Sequence, residues 1–284
     1  MNVTQALHEQ GQSIWLDNIT RSMLDTGQIQ HYIDQYSVTG LTSNPSIFDK
    51  AIGSGDYDDA IRAKAAGGRK GEELFFELAI ASGVPVNVTL LFSADHYRAA
   101  ADAYLRGVER RAQAGHDPAV GSVASVFMSR WDVAVKDTAP ADLTDTLALA
   151  VGLDVYRAYR EVMGSQRFQR LENAGARMQR LLWASRRTKD PAASDTLYVH
   201  GLAAPFTVNT MPDDTLKAFF DHGEIGEPLP SDGGESEAML ARFANAGVDI
   251  KALAAKLQSE GAKSFVAAWN DLMERIDVQS KAVA

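Results

Sequence analysis

"ELAIASGVPVNVTLLFS", residues 77–93, passes from a helix-like run into an apolar strand with only Ser82-Gly83-Val84-Pro85 between them. Thr89 and Ser93 give this strand the polar exit of an active-site strand. Yet no lysine, histidine or acid lies between Glu77 and Asp95. Outward from this stretch, the runs SIWLD (13–17), VTGLTSN (38–44), GSVASVF (121–127), RLLWAS (180–185) and PFTVNTM (205–211) share the short, apolar, β-rich character of PVNVTLLFS (85–93). Helical patterns over 20–36, 94–115 and 144–163 lie between them. Strands alternating with helices of this length predict βαβ units and a parallel sheet. Near-continuous apolar strands are expected when both faces are covered.

The expected fold is therefore α/β, of the (β/α)8 barrel type, built as a single domain over residues 1–284. Residues 223–284 belong to the same domain: a Gly/Pro loop (223–237), then helical patterns at 238–247, 249–261 and 262–276 covering one end. Only six strands can be found, whereas a closed barrel needs eight. Residues 49–80 offer no strand; they read as helix, Gly-rich turn and helix. The peptide GGRKGEE (67–73) does not follow a strand and lacks the spacing of a phosphate loop.

Composition narrows the function. The 284 residues carry a net charge of −9 and are 45% apolar and 23% charged. That acidity argues against a nucleic acid or an anionic membrane surface as partner. A pocket for a small anion needs only one or two arginines. With no cysteine there is no disulfide framework and no thiol catalysis. The N-terminus lacks a basic segment followed by an apolar run, and no stretch reaches roughly 18 uninterrupted apolar residues, so a cytoplasmic location is expected. The six histidines never fall at a ligand-like spacing, no dinucleotide glycine pattern follows a strand, and no GxSxG elbow is present. No metal or organic cofactor is expected.

The ends of the strands are polar: Asp17, Asn44, Ser93, Ser125 and Ser185. A parallel barrel gathers all such ends on one face. Any one of them is most simply a turn former or helix cap; the set together points to a site. In GLTSNPSIF (40–48), Thr42 and Asn44 project to one side by the period of two, where they can hold substrate hydroxyls or a reacting carbonyl. In IWLDNI, Asp17 closes an apolar strand, as a proton-transfer carboxylate would. In SVFMSRW, Ser125, Phe127 and Arg130 mark another strand exit. Arg130 is either a phosphate clamp or a structural ion pair, and spacing does not choose between them.

SIWLDNITRSML, VTGLTSNPSIF, GVPVNVTLLFSADHY, VGSVASVFMSRWD, RLLWAS with TKDP and DTLYV after it, and TVNTMP resemble, in this order, the signature peptides of transaldolases of the longer bacterial type. The resemblance runs from about residue 5 to the last helix. It implies a (β/α)8 barrel that needs no metal or organic cofactor. It also implies transfer of a dihydroxyacetone unit between sugar phosphates, in the pentose phosphate pathway, through a lysine Schiff base. By motif, Asp17 resembles the proton-transfer aspartate, and Asn44 with Thr42 the hydrogen-bonding pair on the second strand. Thr89 resembles the threonine that positions the catalytic water, with Asn87 two residues back on the same face. Ser125 and Arg130 resemble the substrate and phosphate contacts of the sixth strand, and Ser185 the polar end of the seventh. The following SRRTKD departs from the small-residue turn expected there.

Two family peptides are missing: the glutamate peptide of the third strand and the lysine peptide of the fourth. The left half of the opening stretch should lead into them, but it runs directly into ASGVPVN. Roughly two βα units, on the order of 60 residues or more, are expected to be absent. Lys136, in a helical pattern, and Lys189, in a loop, do not replace the missing amine, because a Schiff-base lysine must be desolvated to become nucleophilic. The expectation is thus a transaldolase-family barrel of about six units that has lost the nucleophile of the transfer reaction. The alternatives are a non-catalytic sugar-phosphate-binding or interaction protein, or acid–base chemistry by Asp17 without an imine. An open barrel exposes two strand edges, which would lower stability or be covered by a second copy of the chain.

Overall fold

The computed structural model describes residues 2–44, 47, 86–113, 115, 117–184 and 193–282. Every strand expected from the sequence forms: β1 Ser13–Leu16, β2 Val38–Leu41, β3 Val86–Leu91, β4 Ser122–Phe127, β5 Gln179–Ala184 and β6 Val208–Met211. They make one all-parallel sheet in the order β2-β1-β6-β5-β4-β3. Successive strands from β3 to β6 are neighbours, and β1 and β2 continue beyond β6. This is the cyclic order of a barrel, opened between β2 and β3, where the sequence lacks the glutamate and lysine peptides of the family it resembles. The architecture is α/β, an incomplete barrel. The reading of 49–80 as helix, turn and helix, and the strand-end residue Ser185, lie outside the described residues.

The outward faces of the strands bury two apolar clusters. Under β3, β4 and β5, Leu91, Val126, Leu181 and Trp183 pack with Tyr97, Trp131, Val151, Val155 and Phe243 from the covering helices. Under β1, β2 and β6, Ile14, Leu16, Val38 and Met211 pack with Leu7, Tyr32, Leu216 and Phe219. A small third cluster lies on the inward face, where Leu182, Ala184 and Val208 meet the partly buried Trp15, Val123 and Phe127. It forms an apolar floor beneath the C-terminal strand ends.

Two helix boundaries differ from the sequence reading. The run 20–36 is two helices, Arg21–Asp25 and Gln28–Tyr36. Gly27 between them has φ of 74°, a left-handed conformation that glycine adopts without strain and that a continuous helix excludes. Conversely, Gly261 does not end a helix: Ile250–Ala282 is continuous. A Cβ at Gly261 would lie 2.9 Å from Leu90 Cδ2 and 3.1 Å from Arg130 Nη1. The glycine therefore lets the long helix approach β3 and the end of β4 closely, a packing gain that offsets its helix-propensity cost of about 1 kcal/mol.

Asp132 is buried and holds the start of helix Leu147–Met163. Its Oδ1 accepts from Ala148 N at 3.1 Å, and Tyr198 Oη donates to its Oδ2 at 2.6 Å. Among the described residues no helix is long and apolar enough to cross a membrane.

Gly40 on β2 marks a second close approach: a Cβ there would fall 2.6 Å from the Trp15 indole. Gly40→Ala is expected to cost about 1–3 kcal/mol in chemical denaturation, as overpacking of a filled site does. The Trp15→Leu, Gly40→Ala double variant should recover part of that loss. A strictly additive double variant would mean that the two residues do not share the space.

Candidate functional site

The C-terminal strand ends surround a cavity of about 400 Å³. Asp17, Thr42, Asn44, Asn87, Thr89, Ser125 and Arg130, all singled out from the sequence, line it together. Ser93 does not: its Oγ accepts from His96 N at 3.2 Å, so it caps helix Ala94–Gln113. The simpler reading of a strand-end serine holds for that one residue. Sequence reasoning missed Thr210, which TVNTM does not mark as a site residue, and it assigned no role to Phe127. It also missed Ser264, Phe265 and Ala268, which reach the cavity from the long helix Ile250–Ala282.

On one side, three strands tie their ends into a hydroxyl relay. The backbone ladder extends past the strands, with Asp17 N donating to Met211 O at 2.8 Å and Thr42 N to Leu16 O at 2.8 Å. Thr42 Oγ1 donates to Asp17 Oδ1 at 2.8 Å and also meets Thr210 Oγ1. A hydroxyl has one proton, so with Thr42 donating to the carboxylate, Thr210 must donate to Thr42. Burial pushes the Asp17 carboxyl above its ordinary value, and the Thr42 hydrogen bond only partly opposes this. A carboxyl so placed holds a proton more readily than a solvated one and can give it up within the cavity.

On the other side, Ser125 Oγ donates to Asn87 Oδ1 at 2.7 Å; beyond β2, beside the relay, Ile47 N donates to Asn44 Oδ1 at 3.1 Å. Both amide oxygens thus accept hydrogen bonds within the protein, and among the described residues neither Nδ2 group has a hydrogen-bond partner. Thr89 is aimed by a bulge. Val88 pairs with Ala124 and Leu91 with Val126, so β3 carries one extra residue over that interval. Leu90, with φ of 59°, turns away within it, and its carbonyl accepts from Gln258 Nε2 of the long helix at 3.0 Å.

Arg130 begins the helix after β4, and its guanidinium lies 5.2 Å from the Phe127 ring centroid. Half-burial lowers its pKa, with only Glu260 acting through space in the opposite sense. Guanidinium remains charged regardless. Among the described residues it makes no ion pair, and it lines the cavity. Also among the described residues, no cluster of three histidines or acids could hold a metal ion.

The family model for transaldolase/fructose-6-phosphate aldolase matches residues 14–83 and 77–276. The chain belongs to the transaldolase family. Transaldolase of Mycobacterium ulcerans (strain Agy99) is 35% identical over 363 aligned residues, covering 98% of this chain and 97% of its own. Those of Saccharopolyspora erythraea (33% over 354, 97% of each chain) and Thermobifida fusca (34% over 361, 98% of each chain) are similar to it in the same way.

These transaldolase alignments also locate the missing part. An alignment of 363 positions cannot be filled by 284 residues, so at least 79 positions face a gap here (363 less 284). Because nearly all of both chains is covered, the gap is internal. The two family-model matches meet at residues 77–83, the left half of the opening stretch. The sheet opens between β2 and β3, on either side of that point.

The raised pKa of Asp17 carries a sign for stability. A carboxyl whose folded pKa exceeds its unfolded value contributes stability below the unfolded value of about 3.9, and that contribution is lost as pH rises through the folded pKa. Asp17→Asn keeps an oxygen to accept from Thr42 but removes the titration. Its melting temperature should therefore exceed that of the unsubstituted protein at pH 8, by a margin that shrinks towards pH 4.5. A margin that is constant or grows in acid would contradict the assigned burial of this carboxyl.

Proposed function

We propose that this transaldolase-family chain binds sugar phosphates at the C-terminal strand ends but lacks the imine route for dihydroxyacetone transfer. The observation that carries the reading is the cavity's make-up: an unpaired arginine, two amide donors and a relayed carboxyl, with no lysine among the described lining residues. In this reading Arg130 anchors the phosphate, as a fixed fork of donors suits its oxygens. The Nδ2 groups of Asn44 and Asn87 hold hydroxyl or carbonyl oxygens. Asp17 exchanges a proton with the bound sugar, and Thr89 orders water beside it.

The family's transfer reaction needs an amine that is desolvated so that it loses its proton and attacks the keto carbonyl. Of the ten lysines, six lie in the described residues: Lys136, Lys217, Lys251, Lys256, Lys263 and Lys281, all exposed. An exposed amine keeps its hydration and lacks the desolvation that prepares a nucleophile. Lys50, Lys64, Lys70 and Lys189 lie outside the described residues and follow no fourth-strand pattern in the sequence. Subtracting a covalent nucleophile removes a pathway, whereas subtracting one binding contact only weakens an affinity. The reading therefore separates binding from turnover.

Two measurements test it. Incubation with fructose 6-phosphate and borohydride is expected to leave the protein mass unchanged; a lysine adduct would show that the imine route survives, and peptide mapping would name the amine. Calorimetric titration with fructose 6-phosphate is expected to saturate, and Arg130→Met to weaken binding at least about tenfold, the scale of a charge-assisted hydrogen bond of roughly 1.5–3 kcal/mol. Absence of any saturable binding would remove the sugar-phosphate reading.

A further inference from the structure

The opposite end of the strands holds a second cavity, of about 230 Å³, unconnected with the C-terminal strand-end residues above. Met178 immediately precedes β5 and Phe206 lies two residues before β6, so this cavity sits at the N-terminal strand ends. Its apolar wall is Met163, Phe168, Met178 and Phe206, and its polar groups include Arg160 and Glu172. Three features of its construction point to a ligand.

The first is an arginine prepared for an anion. The Arg160 guanidinium lies 5.3 Å from the Phe206 ring centroid and 5.9 Å from that of Tyr156. Its hydrogen-bond partner is the neutral Tyr156 hydroxyl, at 3.3 Å. Two aromatic rings lie within cation–π reach of the guanidinium without neutralising it. The second is that its neighbour is also uncompensated. Arg180 donates to Ser13 Oγ at 2.8 Å, Thr207 O at 2.6 Å and Phe206 O at 3.5 Å, all neutral oxygens. Both cations act on Tyr159, whose hydroxyl donates to the same Phe206 carbonyl at 2.8 Å. Among the described residues neither arginine has an ion-pair partner, in a chain whose net charge is −9.

The third is Phe206 itself. It is half-exposed and held at φ of 63°, a left-handed conformation that costs a bulky residue of order 1–3 kcal/mol. The Tyr159 and Arg180 bonds to its carbonyl hold it there, with the ring forming the cavity wall. A strained, exposed aromatic that only closes a loop is poorly explained by stability; one that walls a site is not.

We infer that this cavity binds a small apolar monocarboxylate. The carboxylate pairs with Arg160, and the apolar body lies against the two methionines and two phenylalanines. The Glu172 carboxylate on the rim disfavours a second negative charge, which separates this ligand class from the sugar phosphates of the other end.

Phenylacetate is a suitable probe, with phenylacetamide as its neutral counterpart. Titrated into the intact chain, phenylacetate is expected to bind saturably and at least tenfold more tightly than the amide, and saturating fructose 6-phosphate should not displace it. Arg160→Met keeps the side chain's stem and should lose that tenfold. Phe206→Gly relieves the left-handed backbone, so it should melt no lower than the parent while losing phenylacetate affinity. The inference is overturned if phenylacetate does not bind, if the amide binds equally well, if Arg160→Met retains the affinity, or if the sugar phosphate competes. The comparison of the two probes on the unsubstituted protein decides the matter even where a variant fails to fold.

Discussion

The hydrogen-bond ladder that seats β1 between β2 and β6 is the constraint on which the rest depends, because it joins the first strand to the last and sets the site's register. Ser13 to Leu16 pair residue by residue with Val208 to Met211, and Trp15 and Leu16 pair with Gly40 and Leu41. The ladder runs on through Asp17 N to Met211 O and Thr42 N to Leu16 O. Those bonds bring Asp17, Thr42 and Thr210 to the same height. A slip of one residue would turn Asp17 to the helix side and break the relay. The close fit of Gly40 against Trp15 guards the register on the β2 side, where the sheet ends and no further strand among the described residues could correct it.

The missing wall explains why the site is incomplete without being dismantled. The relay belongs to β1, β2 and β6, whereas the amide–hydroxyl pair and the arginine belong to β3 and β4. These groups stand at the two ends of an open sheet and are joined through β5, whose Leu182 and Ala184 supply only the apolar floor. Removing the units between β2 and β3 therefore takes nothing from either group. It takes only what those units would have contributed, which by resemblance is the glutamate and the amine. Under the proposed function, a loss so placed would subtract one chemical step and leave the groups that bind the sugar phosphate.

All six strands were legible from composition alone, since each is a short apolar run whose period and bounds are local properties. The polar exits were legible too, because parallel strands must gather their ends on one face. Contacts that depend on distant chain segments were not. Thr210 reads as one more residue of an apolar strand until β6 is known to lie beside β1. Ser264, Phe265 and Ala268 carry no local mark of a site, because they reach it only through the path of the long helix. Gly261 was misread for the same reason. A glycine in a helical pattern signals a stop on local grounds, and only the proximity of Leu90 and Arg130 reveals it as a point of close approach. The Leu90 bulge is equally invisible in VNVTLL, although it decides where Thr89 points.

That long helix does more than cover one end. Gln258 holds the Leu90 carbonyl within the bulge, and Gly261 admits the helix against Leu90 and the Arg130 guanidinium. One turn further on, Phe265 meets Phe127 edge-on at 6.4 Å, and Phe127 in turn carries Arg130 on its ring face. The aim of Thr89 and the aim of Arg130 are thus both set by one helix, through a carbonyl in the first case and an aromatic pair in the second. In an open sheet this matters more than in a closed one. β3 is an edge strand, paired on one side only among the described residues, and an edge strand with a bulge has little of its own to fix a left-handed leucine. The helix supplies on the outer side the restraint that a neighbouring strand would supply in a closed barrel. The geometry of the arginine-bearing half of the cavity therefore rests on helix packing, while that of the acid-bearing half rests on the backbone ladder.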